Sequence, residues 1–402
     1  LCQPLCRCHR GKDPPVTEPS ILIASDSFKG SASSFRVAEL IEQGIRRVFP
    51  RANVKRLAIA DGGEGTVDAV VAARNGEIRE VDVLGPLGDP VCARYGLFDR
   101  DCAIIEMAEA AGITLMEQNR SNALFASSYG VGQLIGDALD AGVRHIYVGL
   151  GGSATSDGGS GMVKALGVRF LNASEEDVAP GLAGLRDLAR IDLAGLDPRL
   201  ADADIVAITD VTNPLTGPSG AVAIYGPQKG VDVRDVAAAD SWMRSYARML
   251  EAIYGRDIDA VPGAGAAGGL GAALTAFCGA RVERGIEFVL DAIHIDQALE
   301  GVDLVITGEG RMDAQSAFGK APVGVARRAK ARGIPVVAVV GGRAEDLGEV
   351  YESGIDLVVP TVIGPSTLEE CMADAATLLP IAGESVARAF LLGTRACRVS
   401  RP

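Results

Sequence analysis

The residues with the clearest chemical potential in this chain form a glycine- and hydroxyl-rich segment, Gly149-Leu-Gly-Gly-Ser-Ala-Thr-Ser-Asp-Gly-Gly-Ser-Gly161. The segment follows a short apolar run that begins at His145 and precedes a helical pattern that begins at Met162. Glycines let backbone N–H groups approach an anion, and the first turn of a helix leaves further N–H groups unpaired. This order of elements predicts a site for a phosphorylated ligand, although a purely structural turn would share the composition.

Acidic residues stand beside glycine in this segment and in several other loops. Each of them could cap a helix or close an Asx turn, but together they favour binding of Mg²⁺ and of substrate hydroxyl groups. Of the three histidines, His9 lies in the N-terminal leader, and His145 and His294 lie in positions typical of structural roles, so we expect a carboxylate to act as general base. The candidate carboxylates are Asp61, Glu64, Asp157, Asp210, Glu309 and Asp313.

Several basic residues could neutralise a bound anion. A guanidinium binds a carboxylate through two parallel hydrogen bonds, so Arg311 suits the carboxylate of an organic acid, whereas Lys29 and Lys320 suit phosphate. Because Gly319-Lys320 is followed by Ala321 rather than by Ser or Thr, this is not a Walker A motif, and phosphates must be held in another way. The basic candidates are Lys29, Lys164, Arg311, Lys320 and Arg343.

Buried strands must bring these side chains together, because four apolar runs each end in one of the loops that carry them. The runs are residues 21–24, 54–60, 205–208 and 304–306, and the loops are 25–31, 61–66, 209–218 and 307–313. In open α/β sheets, ligands bind beyond the carboxyl ends of the strands. The pattern therefore predicts that these loops converge to form a single cleft.

Strand and helix patterns alternate regularly at both ends of the chain, which predicts parallel sheet there. In the middle, the runs 78–84, 91–98 and 103–107 are separated by turn signals and predict antiparallel or mixed pairing. A helix is expected over residues 236–254, and a long terminal helix should begin at the capping box Thr367-Leu-Glu-Glu370. The fold class predicted is α/β.

Composition limits the partners of the chain. With 39 basic and 52 acidic residues, the net charge is −13, which argues against binding to nucleic acid or to an anionic membrane. The longest uncharged run, 261–280, consists mainly of glycine and alanine, so we expect no membrane span. Cys2, Cys6 and Cys8 could bind zinc beside His9, but their Pro-rich surroundings favour a disordered leader over residues 1–19. The scattered remaining cysteines fit a reducing cytoplasm.

Six segments, taken together and in this order, closely resemble the type I glycerate kinase family over about residues 20 to 392. Any one of them would be a weak signal, but six in register are specific. The segments are Asp26-Ser-Phe-Lys-Gly-Ser31, Ala60-Asp-Gly-Gly-Glu-Gly-Thr66, Gly149 to Gly159, Asp210-Val-Thr-Asn-Pro-Leu-Thr-Gly-Pro218, Gly263 to Gly271, and Thr307 to Ser316 with Gly319-Lys-Ala-Pro-Val-Gly324.

The resemblance implies an enzyme that transfers the γ-phosphoryl group of ATP to D-glycerate with Mg²⁺, typically giving 2-phosphoglycerate. It also implies two domains. A flavodoxin-like parallel-sheet domain would combine residues 20–80 with 285–393, and a second α/β domain with a mixed sheet would be inserted as residues 81–284. Residues 394–402 would form a tail.

Under this resemblance, catalysis needs positioning and charge neutralisation more than covalent chemistry. The roles expected are catalysis by Lys29, Asp157, Asp210 and Asp313; nucleotide binding by Gly151, Gly152, Ser153, Thr155, Ser156 and Lys320; glycerate binding by Ser27, Arg311 and Asp61; and Mg²⁺ binding by Asp157, Glu64 and Glu309.

Other functions remain open at this point. Gly149-Leu-Gly-Gly-Ser-Ala154 also fits the G-x-G-x-x-A fingerprint of a nicotinamide-dependent oxidoreductase, although no acid that could hold a ribose follows the next strand, near Leu171-Asn172. A catalytically inactive sensor of sugar acids and a kinase that yields 3-phosphoglycerate are further alternatives. The sequence also leaves open whether the chain forms a homodimer.

Overall fold

The computed structural model describes residues 18–318 and 320–399, so the leader predicted at residues 1–19 lies outside the described residues except for its last two. The strands are β1 (Ser20–Ser25), β2 (Asn53–Ala58), β3 (Glu77–Leu84), β4 (Pro90–Phe98), β5 (Cys102–Glu106), β6 (His145–Gly149), β7 (Arg169–Leu171), β8 (Arg190–Asp192), β9 (Asp204–Ile208), β10 (Arg281–Glu283), β11 (Leu304–Met312), β12 (Val336–Arg343) and β13 (Leu357–Pro360).

Helices of very different length connect these strands. They are α1 (Ser34–Arg46), α2 (Thr66–Arg74), α3 (Ala108–Ala111), α4 (Arg120–Phe125), α5 (Tyr129–Asp140), α6 (Ser160–Ala165), α7 (Leu182–Arg186), α8 (Ala221–Tyr225), α9 (Val236–Tyr254), α10 (Leu270–Phe277), α11 (Gly285–Ala292), α12 (Ile295–Ala298), α13 (Ala321–Lys330), α14 (Gly348–Glu352), α15 (Leu368–Ala373) and α16 (Ala375–Val399).

The first sheet is entirely parallel, with strand order β13-β12-β11-β1-β2. Helices cover both of its faces, which is why the apolar run of β1 is buried throughout. Ile21 and Ile23 pack with α1 and α16, and Leu22 packs with α11 and α13 on the other face. Residues from both chain ends therefore form one body, the parallel-sheet lobe (residues 18–74 and 285–399), as the resemblance predicted.

The second sheet is mixed, with strand order β10-β9-β6-β5-β4-β3. Strands β3, β4 and β5 pair antiparallel, and β5, β6, β9 and β10 pair parallel. This sheet and its helices form the mixed-sheet lobe (residues 77–283). The predicted domain boundary at residues 80/81 would cut through β3, because residues 77–80 already pair with β4 in the mixed sheet.

The end of the chain departs from the expected single helix. The predicted capping box is present, with the Glu370 N–H donating to Thr367 Oγ1 at 3.2 Å and the Thr367 N–H donating to Glu370 Oε2 at 2.8 Å. The helix stops at Asp374, however, and α16 starts directly after it. Because α16 continues to Val399, the predicted tail begins inside a helix rather than after it.

Among the described helices, α16 alone is long and apolar enough, over Ala375–Arg395, to pass a membrane-span test of length and composition. Its inner face, including Leu379, Ala382 and Val386, packs in the core beside α1. A core helix of a globular protein passes the same test. The uncharged run 261–280 instead contributes α10, whose residues are all buried in the mixed-sheet lobe.

Candidate active site

The carboxyl ends of strands from both sheets meet at one cavity of about 1070 Å³. This is the edge at which α/β sheets bind ligands, and here two sheets contribute to it at once. The lining includes Asp26, Ser27 and Lys29 after β1; Asp61, Gly63 and Glu64 after β2; Glu106 and Glu109 after β5; Gly151 and Gly152 after β6; Glu309, Gly310 and Arg311 in β11; and Lys320 before α13.

Two glycine-rich loops, one from each lobe, touch at the floor of this cavity. A Cβ atom on Gly149 would lie 2.5 Å from the carbonyl oxygen of Gly62, and one on Gly151 would lie 2.7 Å from Gly63 Cα. Neither position has room for a larger residue, since real side chains do not approach backbone so closely. Glycine in the 149–152 stretch is therefore required for contact between the lobes as well as for any contact with a ligand.

Asp26, which directly follows β1, is a carboxyl group whose pKa is strongly raised. Its Oδ1 accepts a hydrogen bond from the Ser27 N–H at 2.6 Å. Burial, together with the nearby charges of Asp61 and Glu309, raises the pKa of Asp26 to about 7. Asp26 is thus suited to exchange a proton near neutral pH, a role that the sequence analysis did not assign to it although it begins one of the quoted motifs.

Glu309 lies at the same edge, on β11, and is only 7% exposed. Lys320 Nζ lies 3.5 Å from its Oε2, whereas its Oε1 is buried with no hydrogen-bond partner among the described residues. Burial raises the pKa of Glu309, and Ser316 and Lys320 oppose that shift. An unpartnered carboxylate oxygen of this kind is suited to a hard cation such as Mg²⁺.

No group of three or more His, Cys, Asp or Glu side chains is placed to hold a metal by itself within residues 18–318 and 320–399. Mg²⁺ usually keeps several waters and takes one or two carboxylates together with substrate phosphates, so it needs no such cage. Glu309 and the exposed Glu64 both line the cavity and fit that requirement.

Three of the five cations predicted for anion binding are brought together at this cavity. Lys29 and Arg311 are exposed and Lys320 is half-buried, and all three contribute to its lining. Lys164, in the last turn of α6, and Arg343, whose guanidinium donates to the carbonyls of Ala344 and Glu345, are absent from that lining.

The 149–161 segment is oriented differently from what its composition suggests. Gly151 and Gly152 line the cavity, and their backbone N–H groups have no hydrogen-bond partner among the described residues. Ser153, Thr155 and Ser156 are buried and lie outside the lining. Two backbone donors, rather than a row of hydroxyl groups, are therefore what this segment offers to an anion.

Asp157 turns away from the cavity and is completely buried. It accepts hydrogen bonds from the N–H and Oγ of Ser128, both at 2.8 Å, and from the N–H groups of Gly159 and Gly161 at 3.0 and 3.1 Å. Burial raises the pKa of Asp157, and these four donors oppose the shift. A carboxylate enclosed in this way does not suit the predicted roles in catalysis and Mg²⁺ binding; it fixes the start of α6 instead.

The two other predicted catalytic acids lie beside the cavity rather than in its lining. Asp210 Oδ1 accepts from the Gly285 N–H at 3.1 Å, and desolvation followed by the charge of Asp61 raises the pKa of Asp210 to about 7. Asp313 is half-buried at the end of β11, where its N–H donates to Ser316 Oγ at 3.1 Å.

Three charged residues near the cavity carry no sequence motif and were missed. Glu106, at the end of β5, accepts from the Val67 N–H at 2.8 Å, and burial raises its pKa to about 7. Glu109 contacts Arg94 at 3.1 Å. Lys229 lies beneath the 149–161 segment, and burial lowers its pKa to about 7. For Glu106, its place at the end of an apolar run was the one available signal.

Comparison with known proteins agrees with this geometry. The model of the glycerate kinase family matches residues 21–391. Glycerate kinase of Halalkalibacterium halodurans is 46% identical over 369 residues, covering 92% of this chain and 97% of that protein. Glycerate 2-kinase of Escherichia coli is 44% identical over 376 residues, covering 93% and 99%.

A solved structure is similar across nearly the whole chain. The crystal structure described as glycerate kinase 2 from Salmonella typhimurium LT2 superposes with a TM-score of 0.82 at 45% sequence identity, covering 94% of this chain and all of that one. Motifs, fold and relatives thus agree, and the chain belongs to the glycerate kinase family.

Proposed function

We propose that this protein is an ATP- and Mg²⁺-dependent glycerate kinase. One observation carries the proposal: strand ends of two different sheets meet at a single cavity that holds three cations and several carboxyl groups. Such a cavity has room for a nucleotide and a small hydroxy acid side by side. The names of the similar proteins from H. halodurans and E. coli support the same substrate.

The chemistry required is the transfer of a phosphoryl group to a hydroxyl group. The hydroxyl oxygen bonds to the γ-phosphorus, the bond from that phosphorus to the bridging oxygen of ADP breaks, and the hydroxyl proton passes to a carboxylate. Asp26 is our candidate acceptor, since it lines the cavity and its pKa of about 7 suits proton exchange. Asp210 and Asp313 remain predictions for this role.

Positive groups around the cavity suit the remaining tasks. Arg311 is proposed to bind the glycerate carboxylate, with Ser27 and Asp61 near its hydroxyl groups. Lys29 and Lys320 would neutralise the transferring phosphoryl group. Mg²⁺ would enter with the nucleotide, held by Glu309 and Glu64, and would offset the charge of the phosphates.

Backbone groups of the mixed-sheet lobe are placed to bind the phosphates of the nucleotide. The N–H groups of Gly151 and Gly152, which have no partner within the part of the chain that the structure describes, are proposed to bind phosphate oxygens. The following residues form a bridge in which Ser153 pairs with Gly112, and the Ile113 N–H donates to the carbonyl of Gly152. The names of the similar proteins favour a kinase over the nicotinamide-dependent oxidoreductase.

A coupled assay of ADP release with D-glycerate tests the proposal. We expect turnover that requires both Mg²⁺ and D-glycerate. Purified, folded protein that releases no ADP under these conditions would refute it, and glycerate binding without turnover would favour the sensor instead.

The product is proposed to be 2-phosphoglycerate, for which the name of the E. coli relative is the support. Phosphorus NMR of the product distinguishes the 2-phosphate from the 3-phosphate. A cytoplasmic location and a homodimeric assembly remain predictions.

A further inference from the structure

Lys229 is a buried cation that the proposed transfer step does not use. It ends the short turn Pro227–Lys229, and only 2% of the residue is exposed. Its Nζ donates to Ser153 Oγ at 2.6 Å and to the carbonyl oxygen of Thr155 at 2.8 Å. A charged amine rarely occupies such a place without a function, because its desolvation costs free energy.

The two partners of Lys229 lie in the segment that presents Gly151 and Gly152 to the cavity. On the other side, the same segment is held by the Ala154 N–H, which donates to the carbonyl of Ala111 at 2.8 Å. Lys229 and Ala111, at the end of α3, thus both hold the segment by hydrogen bonds. The glycines themselves have no side chains with which to fix their position.

We infer that Lys229 is a positioning residue for the nucleotide: by holding Ser153 and Thr155 it keeps the free N–H groups of Gly151 and Gly152 directed into the cavity. This inference rests on the proposed function, since it assigns those N–H groups to nucleotide phosphates. Lys229 touches no ligand in this scheme and acts through the backbone that it orders.

The electrostatic surroundings of Lys229 give the inference a second readout. The charge that acts on it is that of Asp157, in the same segment, and the buried hydroxyl of Tyr246 from α9 lies within the field of Asp157 in turn. Burial outweighs Asp157 and lowers the pKa of Lys229 to about 7. Lys229 is therefore charged below that pH and becomes neutral as pH rises through it.

The test compares Lys229→Met with Lys55→Met in the full-length chain. Lys55 is a matched control, because its Nζ also donates to two acceptors, the carbonyls of Ala298 and Glu300 at 3.0 and 3.3 Å, but at β2 and outside the cavity lining. For Lys229→Met we expect the KM and the directly measured Kd for ATP to rise about tenfold or more, with the KM for glycerate nearly unchanged. Lys55→Met should lower Tm and leave both constants unchanged.

The pH dependence should separate the variants further. In the wild type, ATP affinity should fall as pH rises through about 7, because Lys229 loses its charge there and Asp26 gains one, and the fall should be smaller in Lys229→Met. Should Lys229→Met fail to fold, Ser153→Ala removes one of the two bonds and should weaken ATP binding in the same direction.

If both Lys229→Met and Ser153→Ala lowered Tm but left the KM and the Kd for ATP unchanged, the inference would be overturned. A wild type that binds ATP but does not phosphorylate glycerate would refute the proposed function alone, since the Kd comparison is independent of turnover.

Discussion

Two polar loops that each follow a buried strand have opposite orientations in this molecule. In the loop after β1, Asp26, Ser27 and Lys29 point to the cavity. In the segment after β6, the polar side chains of Thr155, Ser156 and Asp157 are buried, and glycine backbone faces the cavity instead. Composition alone did not distinguish these cases, and the segment with the stronger phosphate-loop pattern contributes fewer side chains.

The surroundings of the two loops, rather than their lengths, explain the difference. The loop after β1 stays at the edge of the sheet, where the Asp26 N–H donates to the carbonyl of Gly308. The segment after β6 continues into the interior, between Ser128, Lys229 and α10. There Asp157 accepts four hydrogen bonds, whereas Thr155 Oγ1 and Ser156 Oγ are buried with no hydrogen-bond partner among the described residues.

Asp26→Asn should have the largest effect and tests the first loop. An amide cannot accept the hydroxyl proton, so we expect kcat to fall about 1000-fold with Tm little changed. Asp303→Asn is the matched control: its carboxylate also accepts a backbone N–H, that of Ser20 at 2.8 Å, but at the opposite edge of the sheet. Equal kcat in both variants would remove Asp26 from the mechanism.

Asp157→Asn tests the second loop through stability. The amide would present an N–H to donors that now face a carboxylate, so the free energy of unfolding should fall by about 2 to 3 kcal/mol. Urea denaturation measures this change, with the exposed Asp187→Asn as control. If Asp157→Asn instead kept its stability and lost Mg²⁺-dependent turnover, the comparison of the two loops would be wrong and the sequence prediction right.

Gly151→Ala tests whether the contact between the lobes matters. Its Cβ would meet Gly63 Cα at 2.7 Å and push the two loops apart, so kcat/KM should fall about tenfold. Gly136→Ala, in α5, has no atom within 4 Å of the new Cβ. It should leave kcat/KM unchanged and raise stability by up to about 1 kcal/mol.

Glu106→Gln should have the smallest effect, and it tests whether burial near the cavity raises the pKa of a carboxyl group outside the two loops. The pKa of Glu106 is raised to about 7, so the stability that its protonated form contributes is present below pH 4.5 and is lost as pH rises through 7. The free energy of unfolding of the wild type should therefore fall between pH 5 and pH 8. In Glu106→Gln this fall should be smaller by about 1 kcal/mol. Identical pH profiles would mean that Glu106 is ionised normally.

The sequence predicted the parts of this molecule that depend on local pattern. Alternating elements gave the parallel sheet, and helix 236–254 is present as α9. Strand ends also predicted that Lys29 and Arg311 would meet, because parallel strands share a carboxyl edge.

Contacts between distant residues could not be predicted in this way. Whether Asp157 faces ligand or interior depends on Ser128, and the position of Ser153 depends on Lys229. Neither pair leaves a spacing or a periodicity in the chain. Glu106 follows an ordinary strand, and its perturbed pKa comes from burial by the rest of the fold.

The order of strands in the parallel sheet has a consequence for synthesis on the ribosome. Ile21 pairs with Leu304, whereas every strand of the mixed sheet lies between residues 77 and 283. We expect the mixed-sheet lobe to be protease-resistant in nascent chains stalled when residue 283 has left the ribosome but residue 304 has not, while β1 still presents an open edge that is prone to aggregation. Equal protease sensitivity of both regions in such chains would contradict this order of events.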